Sequence, residues 1–203
     1  MDFYTPLKEF DQFNSPDFFY LRNFILAYIP LMLSIILFTF KNFTHKNIIW
    51  WLVFLAFLIF LPNAPYALTD CVHLISDFVM FKSKYFVFFI LLPIYVIYFI
   101  LCIESFTISL FLLCRYLVNN NLKKWIISVE IIIMLACSLG IYLGRFQRLN
   151  SWNIVTNINK LSTTVISDLT NIVSLFYVII IFCLLYLFYY MFKHLNILLL
   201  RSI

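Results

Sequence analysis

Glycine and charge are what this sequence has least of. Two glycines occur in 203 residues, and charged side chains make up 11%, where a soluble domain carries about 25%. So few polar side chains cannot cover a water-exposed surface, which excludes a soluble nucleotide-binding α/β enzyme and a secreted disulfide scaffold. Four of the five cysteines, Cys102, Cys114, Cys137 and Cys183, lie in apolar runs and only Cys71 lies in a loop-like stretch. No CxxC or Cys/His spacing joins them, so neither a zinc motif nor a disulfide framework is signalled. Met1-Asp2-Phe3-Tyr4, followed by Glu9, Asp11 and Asp17, has the wrong charge for a signal peptide. There is no HExxH, GxSxG, P-loop or Ser-His-Asp order, and no soluble cofactor is indicated.

What is abundant is apolar. The chain is 65% hydrophobic and 21% aromatic, with a mean hydropathy of +1.01. This composition predicts an all-α fold, a single polytopic helical membrane domain over residues 1–203 whose first partner is the lipid bilayer. A hydrocarbon core of about 30 Å needs about 20 apolar residues per helix. Five stretches supply them: 24–40, 48–61, 85–114, 125–143 and 172–192. The second is short and either stands upright or continues past Pro62. The third is too long for one upright span and too short for two, and reads as one tilted or overhanging helix. Trp50, Trp51, Trp125, Tyr189 and Tyr190 lie near span ends, where amphipathic rings favour the headgroup level.

The net charge of +5 does not indicate a nucleic-acid partner, because the 14 Lys and Arg are scattered beside the spans. Segments 41–47, 115–124 and the C-terminus hold seven bases and no acids; the N-terminus and the 62–84 and 144–171 loops hold the other seven bases and seven acids. Raw counts of bases therefore tie. Their density in short loops favours the acid-free side as cytoplasmic, which puts the N-terminus outside and the C-terminus inside. From Ile154, apolar residues recur every three or four positions through Val155, Ile158, Leu161, Val165, Leu169 and Ile172. That period predicts an amphipathic helix lying on the membrane before the last span.

Two loop stretches carry the candidate chemistry. In the first, running from Leu61 to Leu74, Pro62 and Pro65 stop the second span, and Asn63 is placed to cap a new helix. If that helix covers 66–81, Asp70, His73 and Asp77 fall on one face within about 60° of one another. A carboxylate–imidazole–carboxylate stripe suits a divalent metal, or Asp70 and His73 as a catalytic pair in which a carboxylate orients a general base. A water-facing polar stripe is the plainer alternative. The second stretch, 140–153, contains both glycines, which points to close backbone packing or a special turn. It also contains Arg145 and Arg148, whose guanidinium groups suit phosphate or carboxylate recognition, and which could equally be headgroup anchors. Two spans separate the stretches, so both emerge on one face whatever the orientation. Asn63, Tyr66, Asp70 and His73 are then expected to meet Arg145, Arg148, Asn150 and Trp152 at one membrane boundary, with an anionic lipid or lipid-linked phosphate as ligand. This holds only if 85–114 is a single span.

At these stretches the chain resembles a bacterial family of multi-span membrane proteins labelled domain of unknown function 1361. The resemblance is carried by Leu61-Pro62-Asn63-Ala64-Pro65-Tyr66, Thr69-Asp70, His73-Leu74, Gly144-Arg145-Phe146 and Asn150-Ser151-Trp152. It implies a bacterial cytoplasmic-membrane protein and supplies no activity.

Two acids lie within spans. Glu104 is about 16 Å of helix before Arg115, and Glu130 about 9 Å past Lys124. Acids at such depth are costly unless paired or protonated, and are functional candidates. Antiparallel neighbouring spans could bring the two together, or Ser105, Thr107 and Ser128 could supply hydrogen bonds. Three functional readings follow: a membrane-embedded enzyme or headgroup-binding protein, a small ion-coupled transporter using Glu104 and Glu130, or a non-catalytic subunit of a membrane complex. Five spans without a visible inverted repeat weigh against the transporter.

Overall fold

The computed structural model describes residues 19–40, 47–80, 84–147 and 158–201. Within them the chain is helical: α1 (Phe19–Thr39), α2 (Ile48–Phe60), a 3-10 turn (Leu61–Asn63), α3 (Ala67–Met80), a short turn (Lys84–Phe86), a π-helical stretch (Val87–Leu91), α4 (Leu92–Asn119), a second 3-10 turn (Lys123–Trp125), α5 (Ile126–Phe146), α6 (Ile158–Thr170) and α7 (Ile172–Arg201). Among the described residues there is no strand. Five helical stretches, Arg22–Thr39, Ile48–Val72, Val87–Asn119, Lys123–Phe146 and Ile172–Leu198, are long and apolar enough to cross a membrane. The fold is that of a multi-pass helical membrane protein.

The third stretch is one helix. Pro93 has no amide to offer the carbonyl of residue 89, and its ring crowds that carbonyl. The π-helical turn at Val87–Leu91 widens the helix just before it, and the chain continues without a break. The second stretch does continue past Pro62, through the 3-10 turn and into α3. Asn63 closes that turn. Its side-chain amide donates to the carbonyl of Phe60 at 2.9 Å, tying the 3-10 turn back to the end of α2. The amide of Ala64 is turned to Leu61 at 3.2 Å in 3-10 fashion instead of reaching Phe60, so the Asn63 side chain adds a donor at that carbonyl. Asn63→Ala is expected to lower the unfolding midpoint of the detergent-solubilised protein by a loss of about 1 kcal/mol.

The bundle is apolar outside and carries its small polar groups inside. Ile97, Phe176, Ile179 and Leu187 face outward, whereas Ser34, Ser105, Thr107, Ser109 and Ser138 are buried. Four of these hydroxyls bond their own helix backbone; Ser105 reaches from α4 to the carbonyl of Ala27 in α1 at 2.8 Å. Without a hydrophobic drive between helices in lipid, such small groups allow close approach and join helices. α1 packs mainly on α4 and α2, and α7 on α5 and α4, while α4 and α5 hardly touch. Leu61, Ala64 and Ala67 bury the turn after α2 within the same core as Phe57, Phe106 and Met134. Trp50 and Tyr189 are turned into the bundle. Trp50 stacks on Phe54 and Tyr116 inside the bundle, Tyr189 is fully buried, and only Trp51 and Trp125 of the expected tryptophans are exposed.

Candidate functional site

Gly140 sets how closely the turn after α2 approaches α5. A Cβ added there would lie 3.0 Å from Cβ and Cγ of Pro62. The glycine serves close packing and not a special turn, since no glycine has positive φ. This contact holds the start of α3 beside the end of α5. Thr69 fastens the corner by donating both its amide and its hydroxyl to the carbonyl of Tyr66, at 2.9 and 2.8 Å.

Asp70, in the first turn of α3, then meets Arg145, in the last turn of α5. Arg145 Nη1 lies 3.8 Å from Asp70 Oδ1. Each charge complements the dipole of its own helix end, an acid near an N-terminus and a base near a C-terminus, worth about 0.3–1 kcal/mol apiece. Asp70 Oδ2 accepts the hydroxyl of Tyr98 in α4 at 2.7 Å and the amide of Asn23 in α1 at 3.4 Å. Four helices thus converge on one carboxylate. Asp70 is 1% exposed and the Arg145 side chain 19% exposed, so the acid is sealed within the protein while the guanidinium reaches its edge.

The other expected participants are placed as follows. Tyr66 packs against the apolar patch of Ile141, Tyr142, Leu143 and Ile181. Positions 73 and 77 are in α3, one and two turns beyond Asp70, with their side chains outside the described part of the structure. Arg148, Asn150 and Trp152 lie outside the described residues. Among the described residues no three His, Cys, Asp or Glu side chains gather as a metal site.

Residues 22–187 match the model of a family described as protein of unknown function (DUF1361). The chain belongs to that family. No curated protein and no solved structure matches it. In this DUF1361 chain the matched region contains all four residues of the Asp70 cluster, two of which, Asn23 and Tyr98, lie outside the two loop motifs. Tyr98 is one of 13 tyrosines, inside an apolar run. Asn23 had a usable signal: it opens the first span on the side from which the 62–84 loop emerges.

Three more polar groupings hold the DUF1361 bundle together. Glu130, 1% exposed, accepts hydrogen bonds from Tyr189 at 2.6 Å, Tyr190 at 3.0 Å and Cys114 at 3.2 Å, and an ion pair from Lys193. Glu104 accepts the side-chain amide of Asn196 at 2.6 Å. The partners of both acids come chiefly from α7, a helix that neither sequence alternative (mutual approach of the acids, or Ser105, Thr107 and Ser128 as donors) named. The reason is packing: α7 lies against both α4 and α5, which hardly touch. Ser105 and Thr107 bond backbone carbonyls instead of either acid. At the Arg145 end of α5, Gln147 donates its amide to both oxygens of Asp168, at 3.2 and 3.0 Å. Ser174 donates to Asp168 at 3.3 Å and accepts the Tyr142 hydroxyl at 2.9 Å.

Proposed function

We propose that this protein binds the anionic headgroup of a lipid, or the phosphate of a lipid-linked carrier, where α3 and the end of α5 meet. The observation that carries the reading is the convergence of Asp70 and Arg145, 75 positions apart in sequence, with Tyr98 and Asn23 fixing the acid. A guanidinium at the protein edge, steadied from behind by a sealed carboxylate, is suited to paired hydrogen bonding with phosphate oxygens. Asp70 then positions Arg145, and Arg148, Asn150, Trp152, Asn63 and Tyr66 complete the headgroup site. His73, one turn along α3, is the proton acceptor if the bound lipid is also transformed. If a divalent metal takes part, Asp70, His73 and Asp77 would be the residues to hold it, and it would supply positive charge for the phosphate. The density of bases in the opposite loops supports placing this site on the extracytoplasmic face of a bacterial cytoplasmic membrane. The carrier reading is less favoured, because Glu104 and Glu130 are occupied by side chains of α7.

The test is retention of lipid phosphate by purified protein in vesicles containing phosphatidylglycerol, with soluble phosphate as competitor. Arg145→Ala is expected to weaken retention by the worth of a charge-assisted hydrogen bond, about 1.5–3 kcal/mol or at least tenfold. Arg145→Lys should restore part of it. Competition by inorganic phosphate would identify a free anion as the ligand, and its absence a lipid. Equal retention by the wild type and Arg145→Ala would refute the reading. Complementation of a deletion strain by Asp70→Asn and His73→Ala separates the two forms of the site. Binding alone needs Asp70, whereas a transformation needs His73 too.

A further inference from the structure

We infer that α6 is embedded in the plane of the bilayer surface, at the same boundary as Arg145, with the lipid headgroup–acyl region as its partner along one flank. Its residues divide into three sectors at about 100° per residue. Asp168 and Val165 turn inward. Asp168 is 8% exposed and held by Gln147 and Ser174, and Val165 packs on the patch formed by Ile141, Tyr142 and Ile181. Ile166 and Leu169 turn outward, 64% and 47% exposed. Thr163, Ser167 and Thr170 are exposed on the remaining side.

Two observations identify lipid as what covers Ile166 and Leu169. The first is continuity. After a single break at Asn171 the exposed apolar surface runs on through Ile172, Val173 and Phe176 into the outward face of α7, a membrane-spanning helix. The second is the state of the hydroxyls. Ser162, Thr163, Ser167 and Thr170 all donate to carbonyls of their own helix, at 3.0, 3.0, 2.9 and 2.8 Å. A helix that reads as polar therefore presents few unmet donors, and the acid it carries is turned into the protein. Such a helix can sink into the interface at little desolvation cost.

The proposal stands independently of the headgroup site and is tested without a ligand. In a chain with its native cysteines replaced, single cysteines at positions 163, 166, 167 and 169 carry an environment-sensitive fluorophore. The labelled proteins are reconstituted in phosphatidylcholine–phosphatidylglycerol vesicles and quenched by iodide in water or by spin-labelled lipid. Ile166→Cys and Leu169→Cys are expected to be quenched several-fold less by iodide than Thr163→Cys and Ser167→Cys, and more by the lipid quencher. Equal iodide quenching at all four positions would overturn the proposal by placing the flank in water. Protection of positions 166 and 169 from both quenchers would also overturn it, by showing a protein partner or second copy there. Asp168→Ala should leave 166 and 169 quenched by lipid while raising iodide access at Val165→Cys, since it frees the inward edge alone.

Discussion

Lys193→Ala is expected to destabilise the protein by about 3–5 kcal/mol, the range for removing one partner of a buried ion pair. The loss is large because of what stays behind. Glu130 is 2% exposed at its side chain, and without the lysine its charge remains inside the bundle with only tyrosine and thiol donors. Lys193 is also stacked over Tyr189 and Tyr190, 5.3 Å from each ring centroid, so its removal strips packing as well as charge. The double variant Glu130→Gln with Lys193→Met should recover much of the loss, because neither residue then brings a charge into the bundle and bulk is nearly preserved. Thermal unfolding of the detergent-solubilised protein, followed by loss of a monodisperse elution peak, provides the measurement. If the double variant were as unstable as Lys193→Ala, the charge left on Glu130 would not be the cause.

Gly140→Val is the second large effect, and it acts on both stability and the site. Its Cβ would start 3.0 Å from two atoms of Pro62. A proline ring is tied to its own backbone and cannot swing aside as the end of a long side chain can. Relief must come from moving the whole turn away from α5, at an overpacking cost of about 1–3 kcal/mol. That movement carries the start of α3 with it, so Asp70 and Arg145 should separate. Lipid-phosphate retention is therefore expected to fall in Gly140→Val although neither charged residue is altered. Gly140→Ala should show a smaller change of the same kind. A Gly140→Val protein with normal retention and normal unfolding would show that the Pro62 contact does not set the geometry.

The spans were legible because apolar runs are a composition signal that depends on no partner. Span parity alone puts Asp70 and Arg145 on one face once the Pro93 run is taken as one helix. What could not be read was which polar side chains turn inward. Tyr98 and Tyr189 have the same one-dimensional signature as lipid-facing tyrosines, and only the rotation of their helices decides that each donates to a carboxylate. Trp50 and Trp51 make the point most simply: adjacent identical residues, one stacked in the core and one facing outward. The bond from Asn63 to Phe60 was not legible for a local reason. An asparagine between two prolines can serve the helix before or the helix after, and the choice depends on which carbonyl the prolines leave open.

The position of α7 in the chain has a consequence for how the protein is made. Spans are delivered to the membrane in order of synthesis, and α7 follows the four others. It nevertheless supplies Tyr189, Tyr190 and Lys193 to Glu130 and Asn196 to Glu104. Until it arrives, two carboxylates lie in apolar helices with only the Cys114 thiol provided for them by earlier helices among the described residues. Without α7 both acids would be short of donors in an apolar surrounding, which is costly. Docking of α7 supplies those donors, so the polar interior of the bundle is satisfied only when the helices are together.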